Sequence, residues 1–171
     1  CGTMSVGKTT LVNALKELGQ FKDYQFATER SQHLMSLGIP LNTDSTLKGQ
    51  TVFLAERCGE LIYDNIITDR TILDVMAFTM NAKSIPHQDK EAFETYASEF
   101  IREYDYIFYI SPHGIEIEDN GIRETDEHYR DLIDFTITTL IKRHGHKAGK
   151  IEKISGSTEE RIQQILNVTK L

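Results

Sequence analysis

Cysteine is scarce: Cys1 and Cys58 are the only two in 171 residues. With no CxxC pair and no Cys/His spacing suited to zinc, neither a disulfide framework nor a structural zinc site is expected. The six histidines are scattered without metal spacing. Long apolar runs are missing too. The longest, such as Tyr106 to Ile110, fall far short of the roughly 20 residues a membrane helix needs, so a soluble protein of the reducing cytoplasm with no membrane partner is expected. Nor is there an excess of basic charge: 26 acidic against 19 basic side chains give a formal charge of −7. That balance opposes tight, phosphate-driven binding to long nucleic acid. Small substrates fit it better, although a local basic groove could still receive a short strand or a DNA end.

What remains is 39% apolar and 26% charged, a composition for one globular domain over residues 1–171 with a proper core. No repeat, linker or low-complexity tract divides it. The strongest local signal stands at the beginning. Gly2-Thr3-Met4-Ser5-Val6-Gly7-Lys8-Thr9 fits the pattern G-x-x-x-x-G-K-[ST], in which glycines let backbone N–H groups turn inward around phosphates while the following helix adds its positive dipole end. Residues Gly2 through Thr10 are therefore the expected cradle for a nucleoside triphosphate, most simply ATP. Lys8 would span the β- and γ-phosphates, and the Thr9 hydroxyl would ligate Mg²⁺. Such loops normally follow a buried strand, so a short apolar strand upstream of residue 1 is expected.

Periodicity supplies the frame. Leu11, Leu15 and Leu18 recur at helical spacing before Gly19, which is expected to be a left-handed C-cap. Tyr24 to Ala27 reads as a short strand leading to Glu29, followed by a helix that stops near Gly38 and Pro40. Ser45 to Tyr63 predicts a long helix with Val52, Ala55 and Ile62 on one face. Asn65 to Asp69 reads as a buried strand. Phe93, Tyr96, Ala97, Phe100, Ile101 and Tyr104 fall at i, i+3, i+4, i+7, i+8 and i+11 and predict an amphipathic helix running into the strand Tyr106 to Ile110. Ile133, Ile137, Leu140 and Ile141 mark another helix, and Ile151 to Ile154 a last strand. Ser157 and Glu160 form a capping box for a final helix with Ile162, Ile165 and Leu166. Apolar strands alternating with amphipathic helices imply a three-layer α/β/α fold with a mostly parallel sheet. Ligands then sit beyond the carboxyl ends of the strands, where Thr9, Glu29, Asp69 and the loop after Ile110 converge.

Four further groups have chemistry to offer at that edge. Asp69, ending a strand, is placed to hold Mg²⁺, with Arg70 beside it for a phosphoryl or substrate oxygen, unless Asp69 merely caps the next helix. Glu29 could accept the proton of an attacking hydroxyl, with Arg30 next to it, or could simply charge a helix start. The acid-rich stretch of about 116–130 reads as a lid, in which Arg123 and Arg130 would neutralise the migrating phosphoryl group, Arg130 being equally able to pair along its helix with Asp126 or Asp134. Gln50 and Phe53 could meet a base edge and a base face, or, for Phe53, belong to the core.

Together these residues resemble the nucleoside and nucleotide kinase branch of P-loop proteins: deoxynucleoside kinases, thymidylate kinases, the ribosylnicotinamide kinase domain, and phage-type kinases often labelled only as ATPases. By that resemblance Asp69-Arg70-Thr71 looks like the Asp/Glu-Arg-Ser motif of deoxynucleoside kinases, Glu29 like their catalytic carboxylate and Gln50 like their base-reading glutamine. The implied activity is transfer of the γ-phosphoryl of ATP to a nucleoside-like hydroxyl, and a homodimer is compatible with it. The chain also departs from these families. Its lid holds fewer arginines than a deoxynucleoside kinase's, and Thr28-Glu29-Arg30 is not the Arg-Glu-Pro order of thymidylate kinases. A nucleoside monophosphate, or a hydroxyl on DNA, is thus an alternative acceptor. A motor-type ATPase is a different class, and a GTP switch is opposed by the lack of Asn-Lys-x-Asp and Asp-x-x-Gly motifs.

Overall fold

The structure, a computed structural model, describes residues 1–28, 31–116 and 126–171. The chain runs α1 (Lys8–Lys16), β1 (Gln25–Ala27), α2 (Ser31–Ser36), α3 (Leu47–Glu60), β2 (Ile66–Thr68), α4 (Ile72–Asn81), α5 (His87–Ala97), β3 (Tyr106–Ile110), α6 (Glu127–His144), β4 (Lys150–Ile154) and α7 (Thr158–Thr169). β1 and β2 pair in parallel with Phe26 opposite Ile67, and β3 and β4 pair in parallel with Phe108 opposite Glu152. Both pairs are joined through helices, as parallel strands require. This is the expected α/β architecture with parallel strands.

Two cores flank the strands. α4 is buried almost all round, with Ile72, Leu73, Met76 and Ala77 at 0% exposure, and packs against α3, α5 and α6. Each of Ile72, Leu73 and Met76 contributes about 1.5–3 kcal/mol relative to exposure, so α4 is the pillar of this half. A second cluster joins Leu11 and Leu15 of α1, Phe21, Ile110, Ile154 and Ile165 of α7. Helix starts are chemically marked. Thr71 and Asp74 form a capping box for α4, and Ser157 and Glu160 form the expected one for α7, each satisfying N–H groups that a helix start leaves open.

Several sequence expectations need correction. The buried face of α3 is Gly49, Gln50, Leu54 and Arg57; Ala55 is exposed, Val52 only half-buried, and Ile62 lies beyond the helix at 75% exposure. A polar pair, Gln50 and Arg57, occupies positions that an apolar count assigns to solvent. Gly19 is no left-handed cap: α1 ends at Lys16, and Gly19 opens a 3-10 turn that delivers Phe21 to the core. The helix over Phe93 to Tyr104 tightens to 3-10 at Ser98, so Phe93, Ala97, Ile101 and Tyr104 are buried whereas Tyr96 is exposed. β2 is half-buried rather than buried.

The last point has a structural cause. The two strand pairs are not hydrogen-bonded to each other. A cavity of about 280 Å³ runs between β2 and β3, walled by Ile66, Ile67 and Thr68 on one side, by Tyr106, Ile107 and Phe108 on the other, and by Leu11 and Leu15. At one end of it Cys1 already lies alongside β3: its nitrogen donates to the Phe108 carbonyl (2.7 Å), and the Ile110 N–H donates to its carbonyl (3.0 Å).

Candidate active site

The phosphate loop leaves Cys1 at the carboxyl end of β3. Gly2 has φ 148°, and a Cβ there would stand 2.6 Å from the Ile110 carbonyl oxygen, so only glycine fits so close to the strand. Gly7, at φ 79°, turns the chain into α1. Between them the Lys8 ammonium donates to the carbonyls of Gly2 and Thr3, both at 2.6 Å, which keeps the charge inside the loop's own curve. Thr3 is fully buried, its hydroxyl within reach of Met4 Sδ and the Arg130 carbonyl. Met4 and Val6 are buried in the two cores. The expected cradle over Gly2 to Thr10 works through backbone N–H groups, and the buried side chains of Thr3, Met4 and Val6 anchor it.

Asp69 follows β2 directly, and its N–H donates to the Ala27 carbonyl across the strand pair (3.2 Å). The Thr9 hydroxyl donates to Asp69 Oδ2 at 2.7 Å. Asp69 is 3% exposed and its Oδ1 is buried without a hydrogen-bond partner among the described residues. A buried anionic oxygen left without a partner is costly, and a divalent cation between Thr9 and Asp69 would satisfy it. The residues present therefore fit Mg²⁺. Among the described residues no group of three or more His, Cys, Asp or Glu side chains could hold a metal alone, so nucleotide phosphates and water would complete the coordination. The helix-cap alternative for Asp69 does not hold, since Thr71 is the N-cap of α4.

The strand end that carries Asp69 is braced by buried charge. Arg57 pairs with Glu60 (2.6 Å), and Thr68 Oγ1 lies 3.1 Å from Glu60 Oε2 and 2.9 Å from the Arg70 carbonyl oxygen. Burial pushes the Glu60 carboxyl up, and Arg57 partly offsets it. Arg70 places its guanidinium over the Phe78 ring, 5.2 Å from the centroid, and Phe78 in turn packs against Tyr129.

Arg130 is buried rather than solvent-facing, and its Nη1 donates to the Ile115 carbonyl (2.7 Å) in the loop after β3. Gln50 is buried on α3 and Phe53 lies partly buried against the larger core. Glu29, Arg30 and Arg123 lie outside the described residues, as does the lid segment 117–125. Two residues near the loop escaped the sequence reading. Asp74 accepts from the Gly2 N–H (3.0 Å), and Arg161 of α7, 8% exposed, donates to the Val6 carbonyl (2.7 Å). The capping pattern Thr71-x-x-Asp74 was the only available signal for the first, and nothing in the sequence marked the second.

A glycine-bounded phosphate loop opening a helix, with its threonine bonded to an aspartate at the end of a parallel strand, defines a P-loop NTPase. The chain belongs to the AAA domain family (AAA_28), whose model matches residues 1–161. Its fold is that of deoxyadenosine kinase from M. mycoides. The structure of that enzyme with bound dCTP superposes with a TM-score of 0.67 at 17% identity, covering 99% of this chain and 96% of that one. The same kinase with products dCMP and a flexible dCDP bound gives 0.63 at 16% identity, with the same coverage of both chains. No curated protein matches the sequence. Among the described residues no helix is long and apolar enough to cross a membrane.

Proposed function

We propose that the chain is an ATP-dependent kinase that transfers the γ-phosphoryl group to a hydroxyl of a nucleoside or nucleoside-like acceptor. The observation that carries this reading is the 2.7 Å bond from Thr9 to Asp69 with the second Asp69 oxygen buried and, among the described residues, unpartnered. It joins the phosphate loop to a carboxylate followed by arginine, not by a second carboxylate that could activate water as a motor requires. The likeness in fold to a deoxyadenosine kinase supports a nucleoside as the acceptor.

In this mechanism the loop amides and Lys8 hold the β- and γ-phosphates; Thr9 and Asp69 would hold Mg²⁺, which when bound would supply positive charge against the transferred group. The acceptor oxygen attacks the γ-phosphorus, ADP leaves, and the hydroxyl proton passes to a carboxylate. Glu29 is that carboxylate in our reading: it follows Ala27 by two residues, and Ala27 is the residue whose carbonyl receives the Asp69 N–H. Arg70, Arg123 and Arg130 neutralise the phosphoryl oxygens, while Gln50, Phe53 and Arg30 line the acceptor side. The test is a phosphotransfer screen with labelled ATP against nucleosides, nucleoside monophosphates, ribosylnicotinamide and 5′-hydroxyl DNA. Label should move to a nucleoside and fall strongly in Glu29→Gln. Steady ATP hydrolysis with transfer to none of these acceptors would replace the kinase reading with an ATPase.

A further inference from the structure

Asp74 lies buried in the first turn of α4, yet it touches the phosphate loop. It is 0% exposed, and its two oxygens face in two directions. Oδ2 accepts from the N–H and the hydroxyl of Thr71 (2.7 and 2.8 Å), fixing the first turn of α4. Oδ1 accepts from the N–H of Gly2 (3.0 Å), 72 residues away in sequence. The two residues before Thr71 are Asp69 and Arg70. One carboxylate therefore ties the entry of the phosphate loop to the helix start that places the metal-binding and anion-binding side chains.

We propose that Asp74 is a positioning residue that sets the spacing between the phosphate loop and the Asp69-Arg70 pair, and that the first glycine of the loop acts through it. The Gly2 N–H is consumed by Asp74, so it is not among the amides that meet phosphate. The missing side chain of Gly2 serves the close approach to the Ile110 carbonyl, and its amide serves the strut. An asparagine at 74 can keep its oxygen on the Gly2 N–H and donate its amide to the Thr71 hydroxyl, so only a side chain without an acceptor, such as alanine, removes the link.

The inference rests on the phosphate-loop reading for its consequence, though not for the link itself, and the experiment separates the two. Asp74→Ala, which leaves no acceptor for Gly2, is compared with Ile137→Ala, a cavity variant in the core of α6 that loses stability through packing alone. Three quantities are read on folded protein: exchange of the Gly2 amide hydrogen, which needs no nucleotide, and the dissociation constants of Mg-ATP and of the responding acceptor. In Asp74→Ala the Gly2 amide should exchange at least about tenfold faster, and Mg-ATP should bind about tenfold more weakly, as loss of a hydrogen bond to a charged group implies. Acceptor affinity should stay within about twofold, and Ile137→Ala should show neither change. Gly2 exchange unaltered by Asp74→Ala would overturn the link. Faster exchange with unchanged Mg-ATP affinity, or weaker Mg-ATP binding reproduced by Ile137→Ala, would overturn the positioning role. A wild-type protein that binds no nucleotide would sink the phosphate-loop reading, and the Gly2 exchange result would still decide whether Asp74 holds the loop.

Discussion

At the scale of single residues, Asp69 carries the clearest consequence, because one of its oxygens is bonded to Thr9 and the other is buried with nothing to accept from among the described residues. Asp69→Asn keeps the shape but removes the charge, so the Thr9 contact can persist while affinity for a cation is lost. We expect phosphotransfer to fall by roughly 100-fold or more, about 2.7 kcal/mol of transition-state stabilisation, with thermal stability equal to or above that of the wild type. Raising Mg²⁺ should recover part of the rate. Rates within a factor of two of wild type across a Mg²⁺ titration would remove Asp69 from the mechanism. This residue and the loop were legible in the sequence because their signals are local: a fixed glycine spacing, and a carboxylate at the end of an apolar run. Asp74 and Arg161 were not, because what makes them matter lies 72 and 155 residues away, and no periodicity reports a contact at that separation.

At the scale of elements, legibility depended on whether burial was apolar. β3 was read to the residue because five apolar positions in a row admit one interpretation. α3 was misread because its inward face includes Gln50 and Arg57, the latter held by a charged partner, Glu60, that a hydropathy count does not see. Contacts between helices were equally hidden, and one of them yields a pH prediction. Glu94 on α5 accepts from Arg143 (2.5 Å) and contacts His144 Nε2 (2.7 Å) at the end of α6, with its side chain 12% exposed. Burial alone would raise its carboxyl, but the hydrogen bonds and charges of His144 and Arg143 outweigh it and hold the pKa below the usual 4.5. A depressed carboxyl stabilises the fold above the unfolded value and loses that contribution as pH falls through the folded one. Glu94→Gln should therefore cost about 1 kcal/mol near pH 7, discounted because Arg143 is half exposed. The gap to wild type should close as the pH drops below about 4.5. Denaturant unfolding at a series of pH values measures it, and a gap that is constant from pH 7 to pH 3 would rule the ion cluster out as its origin.

For the whole molecule, the alternation of strands and helices was enough to name a parallel α/β fold, but not to show that its strands stand in two separate pairs. β2 and β3 each present an edge to the cavity between them, and Cys1 already makes parallel-type hydrogen bonds to β3 at one end of it. Unpaired strand edges facing a largely apolar slot are costly, because backbone N–H and C=O groups need partners when removed from water. We expect the amides of Ile66 to Thr68 that face the slot to exchange faster than that of Ile110, whose N–H is held by the Cys1 carbonyl. Hydrogen exchange on the folded protein measures the contrast, and protection at Ile66 to Thr68 equal to that at Ile110 would show that the slot leaves no strand edge open.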